Sequence, residues 1–545
     1  MSFETILTTE LIEKYTAEGL WAGRVITDFL DEVVGATPDK VAAVDARGQV
    51  TYGELKRLSD RAALGLLELG VRPGDVVSFQ LPNWIEFLVV HFAVTRIGGV
   101  SNPLIPIYRD REVGFMVALA KSKVIVVPQE FRGYDYPGMV ARLRGDWPAM
   151  THVLVVDGPT TDTQTSWAEF IETPWEERRA PAELDALRPD PDDVTLLIFT
   201  SGTTGEPKGV MHTHNTLVAA NAPLPARLGV NSDSVIHMAS TFAHLTGFLY
   251  GVRLPTQVGG ATAVYQDIWD AGRFVDLVEK YGISYTSAAT PFLHDTLSAP
   301  GLADRDLSSL RLFCCMGAPI PRAIVREAKA KLPGLTVLGG WGQSENALVT
   351  LGIPGDPEEK IVERDGYPWP GMEIRTLDFD GNVQPAGGEG KLQVRGPFLF
   401  VGYAERLEMT QASFDGDWFD TGDLAVIDED GYLNITGRTK DVIIRGGENI
   451  PVAYIENVLY EHPKLAGVAV VGIPDPRLQE RACAVVTLEP GADGFTMEEM
   501  KAFLDEKRVA RQYWPESLEV VGELPRTASG KIQKFQLRAR LQAQR

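Results

Sequence analysis

The sequence predicts an α/β protein with a large N-terminal domain of doubly wound α/β subdomains, a β-rich subdomain, and a small α+β C-terminal domain. Through most of the chain, short apolar stretches of strand length alternate with amphipathic stretches. After Tyr367 the pattern changes to short strands between Gly and Asp turns, and near Asp441 it changes again to mixed strands and helices. Strands that alternate with helices predict parallel, doubly wound sheets.

The predicted elements follow from apolar runs bounded by turn residues. In the N-terminal region the predicted strands are Val76–Leu81, Lys123–Val127, His152–Val156, Thr195–Thr200, Ile283–Ser287 and Leu310–Met316. In the β-rich region they are Met372–Leu377 and Leu392–Val394. The last region predicts a strand, a helix and two further strands, at Val442–Arg445, Ala453–Tyr460, Ala466–Gly472 and Ala482–Leu488.

The composition is that of an ordinary folded protein of more than one domain. A chain of 545 residues is too long for one core, and 44% hydrophobic with 23% charged residues argues against disorder. The formal net charge of -22 disfavours binding to nucleic acid or to anionic lipid, because both are bound mainly through Lys and Arg. It does not exclude an anionic small molecule, since a few cations can reverse the field inside one cleft.

The cysteines and the N-terminus bear on the compartment. Three cysteines, two of them adjacent at Cys314 and Cys315, give neither a disulfide framework nor metal-ligand spacing, so buried free thiols are expected. The first fifteen residues lack the basic and apolar regions of a secretory signal, and no apolar run approaches the roughly 20 residues that a membrane span needs. We therefore expect a cytoplasmic protein without stable membrane insertion.

A stretch rich in glycine and hydroxyl side chains directly follows a predicted strand. It reads Thr200-Ser201-Gly202-Thr203-Thr204-Gly205-Glu206-Pro207-Lys208-Gly209-Val210. Glycines allow backbone N–H groups to converge on an oxyanion, the hydroxyls add donors, and Lys208 adds a positive charge. The spacing differs from that of a P-loop kinase or GTPase. The pattern predicts a phosphate-binding loop, with a flexible polar hairpin as the alternative.

Further polar motifs follow in the second half of the chain. Taken alone, a Thr-Gly-Asp is typical of a turn, a Gly-Arg-x-Lys-Asp of a solvated corner, and a lysine near the C-terminus of a basic tail. The motifs are Gly340-Trp341-Gly342-Gln343-Ser344-Glu345, Thr421-Gly422-Asp423, Gly437-Arg438-Thr439-Lys440-Asp441 and Pro525-Arg526-Thr527-Ala528-Ser529-Gly530-Lys531-Ile532. Together with the glycine-rich loop, in this order and at these separations, they resemble the adenylate-forming (AMP-binding) superfamily, which includes acyl-CoA synthetases. The resemblance covers nearly the whole chain from Asp28.

The resemblance implies an ATP site and a metal site. Trp341 would lie on the adenine, where a tyrosine is more usual, and Asp423 and Arg438 would contact the ribose. Magnesium would be held by Glu345 and Thr204, since hard oxygen ligands suit Mg²⁺. The ATP- or AMP-binding residues implied are Thr200, Ser201, Gly202, Thr203, Thr204, Gly205, Lys208, Gly340, Trp341, Gly342, Gln343, Ser344, Asp423 and Arg438.

The resemblance also implies the catalytic groups and the domain arrangement. Lys531 would stabilise charge as the carboxylate attacks the α-phosphate, with His244 and Glu345 as further catalytic residues. The N-terminal domain would comprise residues 1–439 and the mobile C-terminal domain residues 440–545, with a hinge near Lys440. After rotation of the small domain, the channel for coenzyme A would be lined by Arg445, Gly446, Gly447 and Glu448.

The acyl pocket is expected to have an apolar lining. The resemblance places His244, Phe248, Gly317, Ala318 and Pro319 there. Peptide synthetase domains carry a Phe-Asp pair in this region to hold an α-ammonium, whereas this chain has Phe242-Ala243. An amino acid is therefore not expected, and the acid is predicted to be short or medium in chain length, alicyclic or aromatic.

The predicted function is that of an ATP-dependent carboxylate-CoA ligase that uses ATP, Mg²⁺ and coenzyme A, either as a monomer or as a homodimer. An enzyme that passes its acyl group to a carrier protein or to an amine has the same motifs. A regulatory protein that binds a nucleotide without chemistry is a second alternative, and retention of Lys208, Glu345, Asp423, Arg438 and Lys531 counts against it. Luciferase-type oxidation is a third.

Overall fold

The apolar runs of the N-terminal region form the parallel strands that the sequence predicts. The structure is a computed structural model that describes residues 3–200, 207–317, 320–439, 441–445, 448–450, 452–526 and 532–543. In chain order the strands are β1 (Val41–Val44), β2 (Gln49–Thr51), β3 (Val76–Phe79), β4 (Val100–Pro103), β5 (Val124–Pro128), β6 (Glu130–Phe131), β7 (Tyr134–Asp135), β8 (His152–Val156), β9 (Thr165–Ser166), β10 (Val194–Thr200), β11 (Lys208–Thr213), β12 (Val235–Met238), β13 (Thr262–Tyr265), β14 (Tyr285–Ala288), β15 (Leu312–Cys315), β16 (Thr336–Gln343), β17 (Ala347–Leu351), β18 (Tyr367–Pro368), β19 (Glu373–Leu377), β20 (Glu389–Arg395), β21 (Gly402–Tyr403), β22 (Phe414–Asp415), β23 (Trp418–Ile427), β24 (Leu433–Arg438), β25 (Ile443–Arg445), β26 (Glu448–Ile450), β27 (Leu465–Asp475), β28 (Gln479–Leu488) and β29 (Ser517–Val520).

Helices connect most of these strands. The α-helices are α1 (Thr9–Ala17), α2 (Ile26–Ala36), α3 (Tyr52–Glu68), α4 (Ile85–Arg96), α5 (Asp110–Leu119), α6 (Tyr136–Leu143), α7 (Trp167–Glu172), α8 (Ala182–Ala186), α9 (His214–Asn221), α10 (Leu224–Leu228), α11 (Leu254–Gln257), α12 (Ala271–Tyr281), α13 (Thr290–Leu297), α14 (Arg322–Lys331), α15 (Glu358–Glu363), α16 (Leu407–Ala412), α17 (Val452–Tyr460), α18 (Met497–Glu506) and α19 (Lys534–Ala543). Short 3₁₀ segments lie at Arg144–Asp146, Trp175–Glu177, Leu302–Asp304 and Arg511–Tyr513, and a π-helix spans Gly247–Arg253.

The first large sheet has the strand order β18-β17-β16-β15-β14-β12-β13-β1-β2. Its strands from β16 to β1 are parallel, and antiparallel strands close both edges. Every residue of β14 and of β15 is buried. Burial on both faces is expected where helices cover a parallel sheet, and it explains why these strands read as continuous apolar runs.

The second large sheet has the order β21-β11-β10-β4-β3-β5-β8-β9 and carries the glycine-rich segment. Strands β10 and β11 are antiparallel, and Thr200 lies opposite Lys208. The predicted phosphate-binding loop therefore joins the two strands of a β-hairpin at the edge of the parallel part of this sheet. Its residues 201–206 lie outside the part of the chain that the structure describes.

The last two sheets correspond to the β-rich region and the C-terminal region. Strands β19-β20-β23-β22 are antiparallel with β24 added on β23, and β26-β25-β28-β27 form a mixed sheet with β29 parallel to β28. Strands β27 and β28 are longer than predicted because their polar ends remain paired next to the turn, where Asp475 accepts from the N–H groups of Arg477 and Leu478.

The C-terminal sheet has hydrophobic cores of its own. One cluster packs α17 and α18 on the sheet, and a second packs α19 on its other face. These cores support a small separate domain, and the solved relatives described below confirm the predicted fold class. The boundary at residues 439 and 440 stays a prediction, and Lys440 lies outside the described residues. All three cysteines are buried thiols outside disulfides. Within the described ranges, no helix is both long and apolar enough for a membrane span.

Four histidines in the core of the N-terminal region are held neutral by burial. Desolvation lowers the pKa of His212 to about 4 and that of His237 to about 3, and it lowers the pKa values of His91 and His214 well below the ordinary value. The unfolded chain binds these protons at about pH 6.5, whereas the folded chain does not. The stability from these groups is therefore complete above pH 6.5 and decreases as the pH falls toward 4.

We expect the midpoint temperature of thermal unfolding to be lower at pH 5 than at pH 7. Below about pH 6.5, each such histidine lowers the free energy of unfolding by about 1.4 kcal/mol for every unit by which the pH decreases. His237→Gln removes one group that the unfolded chain protonates. The variant should therefore lose less stability than the wild type between pH 7 and pH 5. The quantity compared is the change in midpoint temperature between pH 7 and pH 5 in each protein. A loss of packing that lowers the midpoint equally at both pH values does not affect this change. An identical pH dependence in the two proteins would contradict the assignment.

Candidate active site

The carboxylate of Asp423 lies at the centre of the candidate site. It accepts hydrogen bonds from the indole Nε1 of Trp341 at 2.9 Å, from the amide Nε2 of Gln343 at 3.0 Å and from Nε of Arg438 at 2.8 Å. Asp423 is only 4% exposed, and its charge raises the pKa of the Arg438 guanidinium. A buried carboxylate is stable only with such partners. The Asp423 side chain thus holds three other predicted nucleotide-binding residues together.

Two antiparallel strands and the end of a parallel strand build this arrangement. Asp423 of β23 is paired with Arg438 of β24, and Gln343 ends β16. The β16–β17 pairing is irregular between Trp341 and Gly342. A Cβ at Gly342 would lie 1.7 Å from the carbonyl oxygen of Ala347, so only glycine allows this close approach of the two backbones. The glycine therefore permits the strand to place Trp341 and Gln343 on the same carboxylate.

A second group of predicted residues meets at Tyr403. The phenol of Tyr403 donates to Oε1 of Glu345 at 2.9 Å, and Nζ of Lys208 lies 4.6 Å from the centroid of the Tyr403 ring. Burial, and after it the charge of Glu345, raises the pKa of Tyr403, which keeps the phenol protonated as a donor. The sequence analysis missed Tyr403 because a lone tyrosine after a glycine carries no local signal. Its partner Glu345 is one of the two predicted magnesium ligands.

His212 fixes the backbone next to that glutamate. Its Nε2 lies 2.7 Å from the carbonyl oxygen of Ser344, and its Nδ1 lies 3.2 Å from Oγ1 of Thr216. Because a carbonyl oxygen only accepts, Nε2 carries the proton of the neutral ring. The amide N–H of Phe400 also donates to the Glu345 carbonyl oxygen at 2.6 Å. These contacts tie the segment after β16 to the second large sheet.

The predicted acyl pocket is only partly assembled from the predicted residues. His244 and Gly317 border a small pocket whose other lining residues are Ser240, Thr241, Thr246, Ala289, Phe292 and Met316. Phe248 does not border this pocket. Its side chain is fully buried and packs on His91, with ring centroids 4.7 Å apart. Ala318 and Pro319 lie outside the described residues.

A glycine fixes the wall of this pocket. A Cβ at Gly247 would lie 2.1 Å from the carbonyl oxygen of Thr241, so the start of the π-helix packs directly against the backbone that precedes His244. π-Helical turns are rare and occur often at functional sites.

A cleft of about 1540 Å³ separates the N-terminal sheets from the C-terminal region and opens onto the Asp423 site. The N-terminal part contributes Gly317, Trp341, Asp423 and Arg438 among others, and the C-terminal part contributes Arg526, Ile532, Lys534 and Arg538. Arg526 and Ile532 pair with each other in a β-bridge. Lys531 lies outside the described residues, but these residues on either side of the range 527–531 border the cleft.

Of the predicted coenzyme A channel, Arg445 is described by the structure and is not among the described residues that line this cleft. Nη1 of Arg445 donates to Oε1 of Glu516 at 2.5 Å and to the carbonyl oxygen of Trp514, so the side chain is held inside the C-terminal region. Gly446 and Gly447 are outside the described residues, and Glu448 lies in β26. In this arrangement the structure does not bring Arg445 to the other predicted site residues.

The fold, with a large N-terminal and a small C-terminal domain, agrees with the family comparison. The model described as AMP-binding enzyme matches residues 30–404, and the model described as AMP-binding enzyme C-terminal domain matches residues 454–531. The chain belongs to the AMP-binding enzyme family. The predicted membership of the adenylate-forming superfamily is confirmed.

Individual relatives match over most of their length. The medium-chain fatty-acid–CoA ligase of Escherichia coli (strain K12) is 37% identical over 529 residues, covering 96% of this chain and 92% of the relative. The salicyl-AMP ligase / salicyl-S-ArCP synthetase of Mycobacterium tuberculosis is 33% identical over 528 residues, covering 95% and 91%. The crystal structure of ATP-bound MatB from Rhodopseudomonas palustris has a TM-score of 0.82 at 27% identity, covering 95% and 99%. The prediction of an enzyme of the AMP-forming acid–thiol ligase class is confirmed at the level of the family.

Replacing Trp341 by phenylalanine should weaken the use of ATP. The variant keeps an aromatic face but removes the indole donor to Asp423, and a hydrogen bond to a charged group contributes about 1.5–3 kcal/mol. We expect the KM for ATP in pyrophosphate release to rise about tenfold or more. Trp369→Phe is the matched control, because the buried Trp369 indole has no hydrogen-bond partner within the described ranges. Equal KM values for the two variants would contradict the role of Trp341.

Proposed function

We propose that the protein is an ATP-dependent carboxylate-CoA ligase. It forms an acyl-adenylate and pyrophosphate, and then an acyl-CoA thioester and AMP. The observation that carries the proposal is the Asp423 carboxylate, held by Trp341, Gln343 and Arg438 at the edge of a cleft that both predicted domains border. A carboxylate with two oxygens suits a vicinal diol such as that of ribose, and an aromatic face suits a purine.

In the first half-reaction two anions must meet. A carboxylate oxygen of the acid attacks the α-phosphorus of ATP, and the bond from that phosphorus to the pyrophosphate oxygen breaks. The amides of Ser201 to Gly205, together with Lys208 and Lys531, would stabilise the charge that develops. The ring of Tyr403, next to Lys208, would keep that ammonium at the end of the hairpin. In this proposal the chain's own residues orient the phosphates before the attack.

The residues present fit a magnesium ion. Glu345 presents a carboxylate positioned by Tyr403, and Thr204 would add a hydroxyl oxygen. The structure, within its described residues, gathers no group of three His, Cys, Asp or Glu side chains that could hold a metal. One carboxylate and one hydroxyl fit Mg²⁺, because this ion keeps several waters and is usually bound through one or two carboxylates plus substrate phosphates. When bound, the ion would reduce the negative charge on the phosphates.

The second half-reaction needs a different arrangement of the two domains. The thiol of coenzyme A attacks the carbonyl carbon of the acyl-adenylate, a carbon–sulfur bond forms, and AMP leaves. In the present arrangement the C-terminal region borders the cleft, while Arg445 is bonded to Glu516 away from it. We propose that residues 440–545 rotate about Lys440, which removes Lys531 and brings Arg445 to Glu448 to the site.

The pocket beside His244 supports an apolar acid. Ala289, Phe292 and Met316 line it together with the hydroxyls of Ser240, Thr241 and Thr246, and no carboxylate is among the lining residues that the structure describes. An α-ammonium would therefore lack a partner there. Within the predicted range of acids, the names of the relatives, a medium-chain fatty-acid–CoA ligase and a salicyl-AMP ligase, support a medium-chain or an aromatic acid.

Transfer of the acyl group to a carrier protein is the second candidate. The Mycobacterium tuberculosis relative is named a salicyl-S-ArCP synthetase as well as a salicyl-AMP ligase, which supports an acceptor other than free coenzyme A. An amine acceptor would need the same adenylation step. The candidates differ only after the acyl-adenylate has formed.

The proposal predicts that Lys531→Ala separates the two half-reactions. Purified wild type and variant are incubated with ATP, Mg²⁺, coenzyme A and a panel of fatty, alicyclic and aryl acids, and pyrophosphate and thioester are measured by mass spectrometry. The variant should lose about 100- to 1000-fold in pyrophosphate release, as for loss of a group that stabilises the transition state. It should still convert a supplied acyl-adenylate to the thioester.

Lys534→Ala is the matched control, because Lys534 borders the same cleft but is paired with Glu456 at 2.8 Å. We expect this variant to retain most of the adenylation activity. If the wild type releases pyrophosphate but forms no thioester, the acyl acceptor is a carrier protein or an amine. Equal loss of both half-reactions in Lys531→Ala would contradict the two-arrangement mechanism.

A further inference from the structure

The large cleft contains a second buried carboxylate besides that of Asp423. Asp365 is 7% exposed and lies two residues before β18. It lines the cleft together with Arg322, Trp341 and Ile435. The proposed mechanism gives Asp365 no function, although it borders the space in which the nucleotide is proposed to bind.

Two donors fix the Asp365 carboxylate in place. Nη2 of Arg322 donates to Oδ1 at 3.2 Å, and the backbone N–H of Ile435 donates to Oδ2 at 2.8 Å. The same Arg322 nitrogen also donates to the side-chain oxygen of Asn434 at 3.1 Å. An ionised carboxylate has about four lone-pair positions, and these two hydrogen bonds occupy about half of them. Asp365 therefore keeps the capacity to accept from a further donor in the cleft.

The backbone of Asp365 is held on the same face of β16 as the Trp341 indole. Thr350 of β17 is paired with Trp341, and its hydroxyl donates to the carbonyl oxygen of Asp365 at 2.7 Å. A Cβ at Gly339, two residues before Trp341, would lie 3.8 Å from Cα of Asp365. Positions two residues apart in a strand share one face and lie about 7 Å apart. Asp365 therefore lies beside the aromatic face proposed for the adenine.

Strand β24 connects Asp365 to the proposed ribose site. Ile435, which donates to Asp365, precedes Arg438 by three residues, and Arg438 donates to Asp423. Three residues of strand span about 10 Å. All the residues from Ile435 to Arg438 line the cleft, so open space follows this strand from one carboxylate to the other. This arrangement fits a nucleoside with its ribose at Asp423 and its base extending along Trp341 toward Asp365.

We propose that Asp365 accepts a hydrogen bond from the 6-amino group of adenine and so selects ATP over nucleotides with an oxygen at that position. The inference rests on the proposed function, because it names the group that recognises the base of the same nucleotide. An amino group donates to a carboxylate, whereas a 6-oxo group is an acceptor and would face the negative charge. Because Arg322 and Ile435 hold the carboxylate, it cannot turn away from a mismatched base without losing these bonds.

The test measures the binding of three matched nucleotides by calorimetry, with Mg²⁺ and without an acid. The nucleotides are ATP, purine riboside 5′-triphosphate, which has hydrogen at position 6, and ITP, which has oxygen there. The wild type should bind the purine riboside analogue about tenfold or more weakly than ATP, because a hydrogen bond to a charged group is lost. ITP should bind more weakly still, because its oxygen faces the carboxylate.

Asp365→Asn should narrow the difference between ATP and ITP by about tenfold or more, because an amide nitrogen can donate to the 6-oxo group. Its ratio of affinities for ATP and 2′-deoxy-ATP should stay that of the wild type, since Asp423 is unchanged. A general loss of structure would alter both ratios. The two ratios therefore separate recognition of the base from a purely structural role of Asp365.

Asp428→Asn is the matched control. Asp428 also accepts from a backbone N–H, that of Tyr432 at 2.9 Å, and pairs with the cation of Lys360 at 2.7 Å. It is not among the described residues that line the cleft. We expect this variant to keep the wild-type preference for ATP over ITP.

Equal binding of ATP and ITP by the wild type would overturn the assignment, and this comparison needs no variant. A folded Asp365→Asn protein that keeps the full wild-type preference for ATP would overturn it as well. If the wild type prefers ATP as expected but releases no pyrophosphate with any acid, the assignment is supported and the proposed function fails. Absence of binding for all three nucleotides would overturn both.

Discussion

A buried carboxylate must be satisfied by donors, and at Asp423 this requirement connects three parts of the chain. Trp341 and Gln343 come from the end of β16 in the first large sheet, Arg438 comes from β24, and Asp423 itself comes from β23 of the antiparallel sheet. Loss of these donors would leave a charge in a site with little access to water, which is strongly destabilising. The antiparallel sheet is therefore held against the first large sheet at the position where a nucleotide is proposed to bind. A ribose would meet a carboxylate whose orientation is already fixed.

The segment that follows β16 extends the same arrangement to the second large sheet. His212 of β11 holds the Ser344 carbonyl oxygen, and Tyr403 of β21 holds the Glu345 side chain. Strand β11 is one strand of the glycine-rich hairpin, and β21 is its neighbour in the sheet, so the groups proposed to bind the phosphates and the groups proposed to bind the ribose are fixed to one another. Such preorganisation lets a site stabilise developing charge without rearranging its own dipoles. In the proposed mechanism the C-terminal region, which has its own cores, changes its position relative to this frame.

Much of the fold could be predicted because its strands are buried on both faces and appear as apolar runs, as at His152–Val156. The polar ends of β27 and β28 could not, because they are held by pairing across a hairpin rather than by burial. Motif residues such as Trp341 and Asp423 were found through their order along the chain, yet the hydrogen bond between them was not foreseen. Tyr403 was missed because a tyrosine that acts through one buried hydroxyl leaves no periodic pattern.

In the proposed function, the Asp423 carboxylate accepts hydrogen bonds from the ribose hydroxyls of ATP. The most direct measurement is calorimetric binding of ATP and of its 2′-deoxy and 3′-deoxy analogues to the wild type and to Asp423→Asn. The account predicts that the wild type binds each deoxy analogue about tenfold or more weakly than ATP, because the carboxylate loses a charge-assisted hydrogen bond. Asp423→Asn should bind ATP more weakly and discriminate much less among the three nucleotides. A variant that keeps the full discrimination of the wild type would contradict the account.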